Sequence, residues 1–113
     1  MVNNQSAQLD AIYSALGDST RRALLEQLRQ GPAKISDLAR PQAMSLPGVM
    51  KHIGVLERAG LIRKMKRGRA VHCQLDPESL RNAAEWISTY EAFWNQKLDS
   101  LAQYLEELEK QGD

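Results

Sequence analysis

The chain is short of the residues that most often carry chemistry: of its 113 residues, one is cysteine, two are histidine and six are aromatic. A lone Cys73 excludes an intramolecular disulfide and fits a reducing cytoplasm. His52, His72 and Cys73 assemble into no nucleophile–base–orienter set, and neither a glycine-rich phosphate loop nor an HExxH motif occurs. Ser19 and Thr20 beside Arg21 read as the first turn of a capped helix rather than as a nucleophile. No enzymatic activity, cofactor or metal site is therefore expected. No apolar run approaches the roughly 18 to 20 residues that a membrane span needs. The opening MVNNQSAQ has neither a basic segment nor an apolar core of the secretory kind, so a cytoplasmic protein without a membrane partner is expected.

What is present is unevenly placed. The formal net charge is only +1, yet residues 34–75 hold nine basic side chains against Asp37 and Glu57, a local balance of +7. Residues 76–113 hold Arg81, Lys97 and Lys110 against nine carboxylates, a balance of −6. The middle of the chain is thus a surface suited to a polyanion, and the last third is not. Five of the six aromatics, Trp86, Tyr90, Phe93, Trp94 and Tyr104, fall in that acidic last third.

Length and composition predict one domain, residues 1–113, with one modest core. From Gln8, the apolar positions Leu9, Ile12, Tyr13 and Leu16 keep a helical period that Gly17 ends. Asp18 is the expected N-cap of a second helix with the stripe Ala23, Leu24, Leu25 and Leu28, stopped by Gly31-Pro32. Ser36 is the expected cap of a short third helix carrying Leu38 and Ala39, which Pro41 keeps short. Ser45 caps a fourth, with Pro47 in the first turn, where amide hydrogens lack partners anyway. At 100° per residue Leu46, Val49, Ile53 and Leu56 share the core side. Lys51 points away, with Pro47, Gly48, Gly54 and Val55 on the same outer arc and His52 on its border. Each glycine costs roughly 1 kcal/mol relative to alanine in a helix interior; close approach of the backbone to another surface is one compensating use.

Residues 61–66 and 71–75 read as two strands around Arg67-Gly68-Arg69, with Val71, Cys73 and Leu75 on a buried face. Six basic residues between Arg58 and Arg69, with no carboxylate among them, load this hairpin. A helix followed at once by a basic hairpin predicts a winged helix-turn-helix: a mainly α fold with a small β-hairpin, the helix-turn-helix over 36–59 and the wing over 61–75. Helix side chains would meet base edges in a major groove and the hairpin tip would meet phosphates. Ser45, Pro47, Gly48, Lys51 and His52 on the helix, and Arg67 and Arg69 on the wing, are the candidate DNA-binding residues. A packing role for His52 stays open beside that one, and Cys73 reads as a buried thiol rather than a redox sensor. A module that uses the same hairpin to bind protein or RNA is the alternative.

From Asp76-Pro77 the chain reads as helical to about Glu109. Ile87, Tyr90, Trp94, Leu98, Leu101, Leu105 and Leu108 form a near-heptad stripe. A helix of that length, about 50 Å, carries more apolar surface than so small a body can cover. A homodimer is expected, with 77–109 and 8–17 as its helices and Leu9, Ile12, Tyr13 and Leu16 packing beside the stripe. A break near Ser88 or Ser100, folding the helix back on its own core, is the other reading. Trp86, Phe93 and Trp94 are in addition candidates to line a small-molecule effector site, with the effector itself unidentified.

The segments ALGDSTRRALLEQL (15–28), ISDLA (35–39), MSLPGVMKHIGVLERAGLI (44–62), KRGRAVHCQL (66–75) and EWISTYEAFWNQKLDSLAQYL (85–105) together resemble the ArsR/SmtB family of bacterial winged-helix repressors. The resemblance covers nearly the whole chain. It implies a homodimeric repressor on an inverted repeat in a double-stranded DNA operator, with the fourth helix in the groove and the wing on the backbone. Metal-sensing members place cysteines in the third helix, where Ile35-Ser36-Asp37-Leu38 stands here, or histidines on the last helix, where residues 77–113 have none. The resemblance therefore carries over no metal site. Met50 stands where serine is frequent and Gly48 where alanine is.

Overall fold

The computed structural model describes residues 4–112. In chain order the elements are α1 (Asn4–Leu16), α2 (Ser19–Leu28), β1 (Ala33–Lys34), α3 (Ile35–Ala39), α4 (Leu46–Arg58), β2 (Ile62–Arg67), β3 (Ala70–Leu75) and α5 (Pro77–Gln111). The chain divides into two compact units, one ending at Ala83 and one beginning at Ala84.

The first unit is built on stops as much as on helices. Asp18 caps α2 as expected, its carboxylate accepting from the Arg21 amide at 3.0 Å. That hydrogen bond is the main reason the Asp18 carboxyl lies below its ordinary range. Ser45 caps α4, its hydroxyl accepting from the Gly48 amide at 3.3 Å. At the other end of α4 the Leu61 amide reaches back to the Leu56 carbonyl and the Gly60 amide to the Glu57 carbonyl, both at 3.0 Å. This is the Schellman pairing, and Leu56 and Leu61, both fully buried, make its apolar contact. Gly60 turns the chain with φ +77°, and a Cβ there would stand 2.8 Å from the Ser79 hydroxyl, so a side chain at this position is strained and must displace Ser79. The helix is thus delivered directly into the hairpin.

β3 is the middle strand of a three-stranded antiparallel sheet in the order β1-β3-β2. The expected hairpin is present, with Ile62 opposite Leu75 and Arg67 opposite Ala70. Only Gly68 and Arg69 form the loop, and Gly68 takes φ +63°, the glycine-first pattern of a type II′ turn. β1 pairs Ala33 with Cys73 and Lys34 with His72. This two-residue strand has no local signal, because Gly31-Pro32 reads only as a stop. It also displaces the expected start of the third helix: α3 begins at Ile35, its cap position is Lys34, and Ser36 lies inside it without a capping role.

The core joins Ile12 and Ala15 of α1, Leu24, Leu25 and Leu28 of α2, Ile35 and Leu38 of α3, and Val49, Ile53 and Leu56 of α4 to Leu61, Ile62 and Cys73. Four expectations are corrected. Ile12, grouped with the dimer stripe, is fully buried within the chain's own core and has no surface left for a second chain. Leu46 is 51% exposed rather than buried, because it opens the helix one turn before the core begins. Val71 is 38% exposed although Cys73, two residues on, is fully buried: the hairpin runs past the edge of the core toward its tip. Ala23 is exposed, the core side of α2 being filled by its three leucines.

Cys73 is the one free cysteine, and burial pushes its thiol up from the usual value. It is therefore expected to resist a thiol reagent at neutral pH in the folded protein. Labelling followed against denaturant should coincide with loss of helical ellipticity; fast labelling without denaturant would contradict the buried position.

The second unit is helical from Ala84 to Gln111, and α5 runs unbroken through Ser88 and Ser100. The Ser88 hydroxyl instead donates back to the Glu85 carbonyl at 2.7 Å, and Thr89 to Trp86 at 2.8 Å. Every described residue from Ala84 onward is exposed. On the stripe, Ile87, Tyr90, Trp94, Leu98, Leu101, Leu105 and Leu108 range from 45% to 63% exposed.

Candidate nucleic-acid interface

The buried side of α4 fixes where its other side points. Val49, Ile53 and Leu56 lock it into the core, leaving Lys51 exposed on the opposite arc. The arc around Lys51 is nearly bare: Pro47, Gly48 and Gly54 bring backbone to the surface. Neither glycine is demanded by the chain's own packing. A Cβ at Gly48 would meet only Ser45 and Met44 side-chain atoms at 3.4 and 3.5 Å, and one at Gly54 only the movable Arg58 guanidinium at 3.2 Å.

The wing sorts its cations. Arg63 pairs with Asp76 at 3.1 Å and Lys64 with Glu57 at 3.5 Å, so these two are neutralised at the base of the hairpin. Lys66, Arg67 and Arg69, nearer the tip, have no ion pair or side-chain hydrogen bond among the described residues, and neither has Lys51. Unpaired cations thus concentrate on the fourth helix and the hairpin tip.

His52 is held from behind. The Arg21 guanidinium lies 3.1 Å from its Nδ1, and the Asp18 carboxylate 3.8 Å from the same atom. A guanidinium only donates, so Nδ1 accepts and the imidazole proton sits on Nε2. The Asp18 contact is then a neighbouring charge and not a hydrogen bond. Arg21 also donates to the Ala15 carbonyl at 2.7 Å and the Ser14 carbonyl at 3.1 Å, and Arg22 to the Leu16 carbonyl at 2.8 Å. Two adjacent arginines therefore close the end of α1, and one of them ties it to α4. Neither stands out by composition or periodicity, although an arginine pair just past a helix end is the signal that marks them. Of the expected DNA-binding residues, those with polar side chains available outward are Ser45, already engaged as a cap, together with Lys51, the far side of His52, Arg67 and Arg69, and Lys66 joins them from the wing.

Among the described residues no cluster of histidine, cysteine and carboxylate could hold a metal, and no helix is long and apolar enough to cross a membrane. Two surface grooves, of about 210 Å³ against Leu25, Leu75 and Leu80 and about 460 Å³ between Leu46 and Val71, are lined by residues other than Trp86, Phe93 and Trp94.

Comparison with known proteins agrees with this architecture. A helix-turn-helix domain model matches residues 16–64. An HTH-type transcriptional regulator of Mycobacterium tuberculosis is 36% identical over 97 residues, covering 86% of this chain and 88% of the relative. The crystal structure of an ArsR family transcriptional regulator superposes with a TM-score of 0.74 at 41% identity, covering 84% of this chain and 97% of that one. The chain belongs to the ArsR family. A transcriptional repressor of Bacillus subtilis, 24% identical over 73% of this chain and 91% of its own length, is a more distant relative. This ArsR-family chain keeps the winged helix-turn-helix while lacking, among its described residues, a grouping of metal-binding side chains.

Proposed function

We propose that this protein is a homodimeric transcriptional repressor that binds an inverted repeat in double-stranded DNA. The observation that carries the reading is the set of unpaired cations, Lys51 on α4 and Lys66, Arg67 and Arg69 on the wing tip, around a helix arc stripped of bulky side chains. Duplex DNA presents phosphates to such cations and a major groove wide enough for a helix. In this reading Ser45, Pro47 and Gly48 set the approach of the helix, Lys51 and the Nε2 edge of His52 reach base edges, and Arg67 and Arg69 grip the backbone. Relatives named as transcriptional regulators and as a repressor support it.

The dimer rests on α5. A stripe of seven large apolar residues, each about half exposed, is more surface than a monomer leaves to water. Leu9, Tyr13 and Leu16, only partly buried, are the α1 positions that remain for contact beside it. Two-fold pairing through one shared patch matches the symmetry of an inverted repeat.

Footprinting on DNA flanking the protein's own gene locates the operator, and a salt titration then tests the contacts. Lys51→Ala with Arg67→Ala is expected to weaken operator binding while the protein stays dimeric. The slope of log K against log salt should become shallower by about 0.9 for each phosphate that the variant no longer neutralises. Unchanged retention in a gel-shift titration would remove these residues from the interface. Salt-insensitive binding without preference for duplex DNA would favour a protein- or RNA-binding role instead.

A further inference from the structure

The exposed arc of α4 is poor in groups that can read a base by hydrogen bonding. Ser45 has its hydroxyl oxygen accepting from the Gly48 amide and keeps only its O–H to donate, Pro47, Gly48, Gly54 and Val55 offer no side-chain donor or acceptor, and His52 has one nitrogen taken by Arg21. Lys51 alone has a free donor at the centre of the arc. Yet the edge of α4 opposite His52 is apolar and open: Leu46 is 51% exposed and Met50 39%. Met50 lies 100° from Lys51 around the helix, as His52 does on the other side.

These two side chains help to line the groove of about 460 Å³, together with Arg69, Ala70 and Val71 of the wing and Lys34, Ile35 and Ser36 before and in α3. No carboxylate lines it. It shares Arg69 with the proposed DNA face, and its two cations suit an anionic strand rather than an uncharged apolar partner. Among base-edge groups in the major groove, the thymine C5-methyl is the one recognised by apolar contact.

We propose that Leu46 and Met50 are specificity-determining residues that read thymine methyl groups at the end of each operator half-site, while Lys34 and Arg69 hold the flanking phosphates. This rests on the DNA-binding reading above and adds to it the chemistry of the bases selected. The apolar edge of the helix adds a discrimination that Lys51 and His52 do not supply. Methionine suits the task, being unbranched and able to follow a methyl's position without a fixed rotamer. Val71, exposed at the wing, adds a third apolar side chain to the same groove.

The test replaces thymine by deoxyuridine, which removes the methyl and leaves every hydrogen-bonding group in place. On the footprinted operator, the wild-type protein is expected to bind the substituted duplex about fourfold more weakly for each contacted methyl, the fold-change equivalent to about 0.8 kcal/mol per buried carbon. The loss should be confined to thymines at one position or two per half-site. Leu46→Ala with Met50→Ala, both at exposed positions that leave the core intact, should bind thymine and deoxyuridine operators equally, with unchanged helical ellipticity, and Met50→Ala alone should lose only part of the difference. Equal wild-type affinity for both duplexes, or half-sites without thymine under α4, overturns the inference while leaving operator binding established. Failure of the wild-type protein to bind any operator overturns the underlying reading as well.

Discussion

Leu98→Asp combined with Leu101→Asp is expected to give a folded monomer whose operator affinity is lower by about 10²–10⁴. The two leucines are 58% and 52% exposed in the single chain, so removing them opens no cavity in its own core. In a dimer they lie at the middle of the α5 stripe, and two carboxylates per chain there would face their own symmetry copies. Burying those charges unpaired costs far more than a seam of leucines gains. Splitting the dimer also separates two half-site contacts that otherwise act as one, and such linkage is worth about 10²–10⁴ in avidity. Sedimentation velocity reports the assembly and gel-shift titration the affinity, with circular dichroism confirming that the helices persist. A variant that still sediments as a dimer would place the interface elsewhere.

Arg21→Ala is expected to lower stability by about 2–4 kcal/mol, a large fraction of the roughly 5–15 kcal/mol that holds a typical domain. The guanidinium reaches three groups at once, the Ala15 and Ser14 carbonyls and His52 Nδ1. Losing it leaves the Ala15 carbonyl without this donor and the Ser14 carbonyl with only the Gly17 amide, and it removes the polar tie between the end of α1 and α4. Arg21→Lys should recover only part of the loss, since an ammonium lacks the fork that reaches both carbonyls. Denaturant midpoints measure this directly. A double-mutant cycle with His52→Ala isolates the interaction across to α4. If Arg21→Ala and Arg21→Lys were equally stable, the fork geometry would be irrelevant.

Much of the fold is legible because the signals are local. Asp18 and Ser45 announce helix starts by their chemistry, and both do cap in the structure. Gly60 and Gly68 announce turns, and both take positive φ. The features that escaped are those set by partners distant in sequence. β1 is two residues long and exists only because Cys73 and His72 are there to pair with it. Leu46, Val71 and Ile12 carry the right periodicity, yet periodicity cannot say where a core ends, and two of the three lie past its edge while the third lies wholly inside it. The candidate interface was readable as a cluster of charge; which charges are already paired was not. Arg63 and Lys64 are neutralised by Asp76 and Glu57, partners that a count along the chain does not assign.

The fourth helix keeps its two duties on separate sides. Val49, Ile53 and Leu56 hold it in place, while positions 46, 50 and 51 contribute little to that core. Substitutions at exposed positions of this kind usually change stability by no more than about 0.5 kcal/mol. Operator preference in this protein can therefore drift, or be redesigned, through one or two outward residues without crossing an unfolded intermediate sequence. If these positions do select the operator, each substitution in a duplicated copy would shift its preference by only a few-fold per lost contact, with its folding largely untouched.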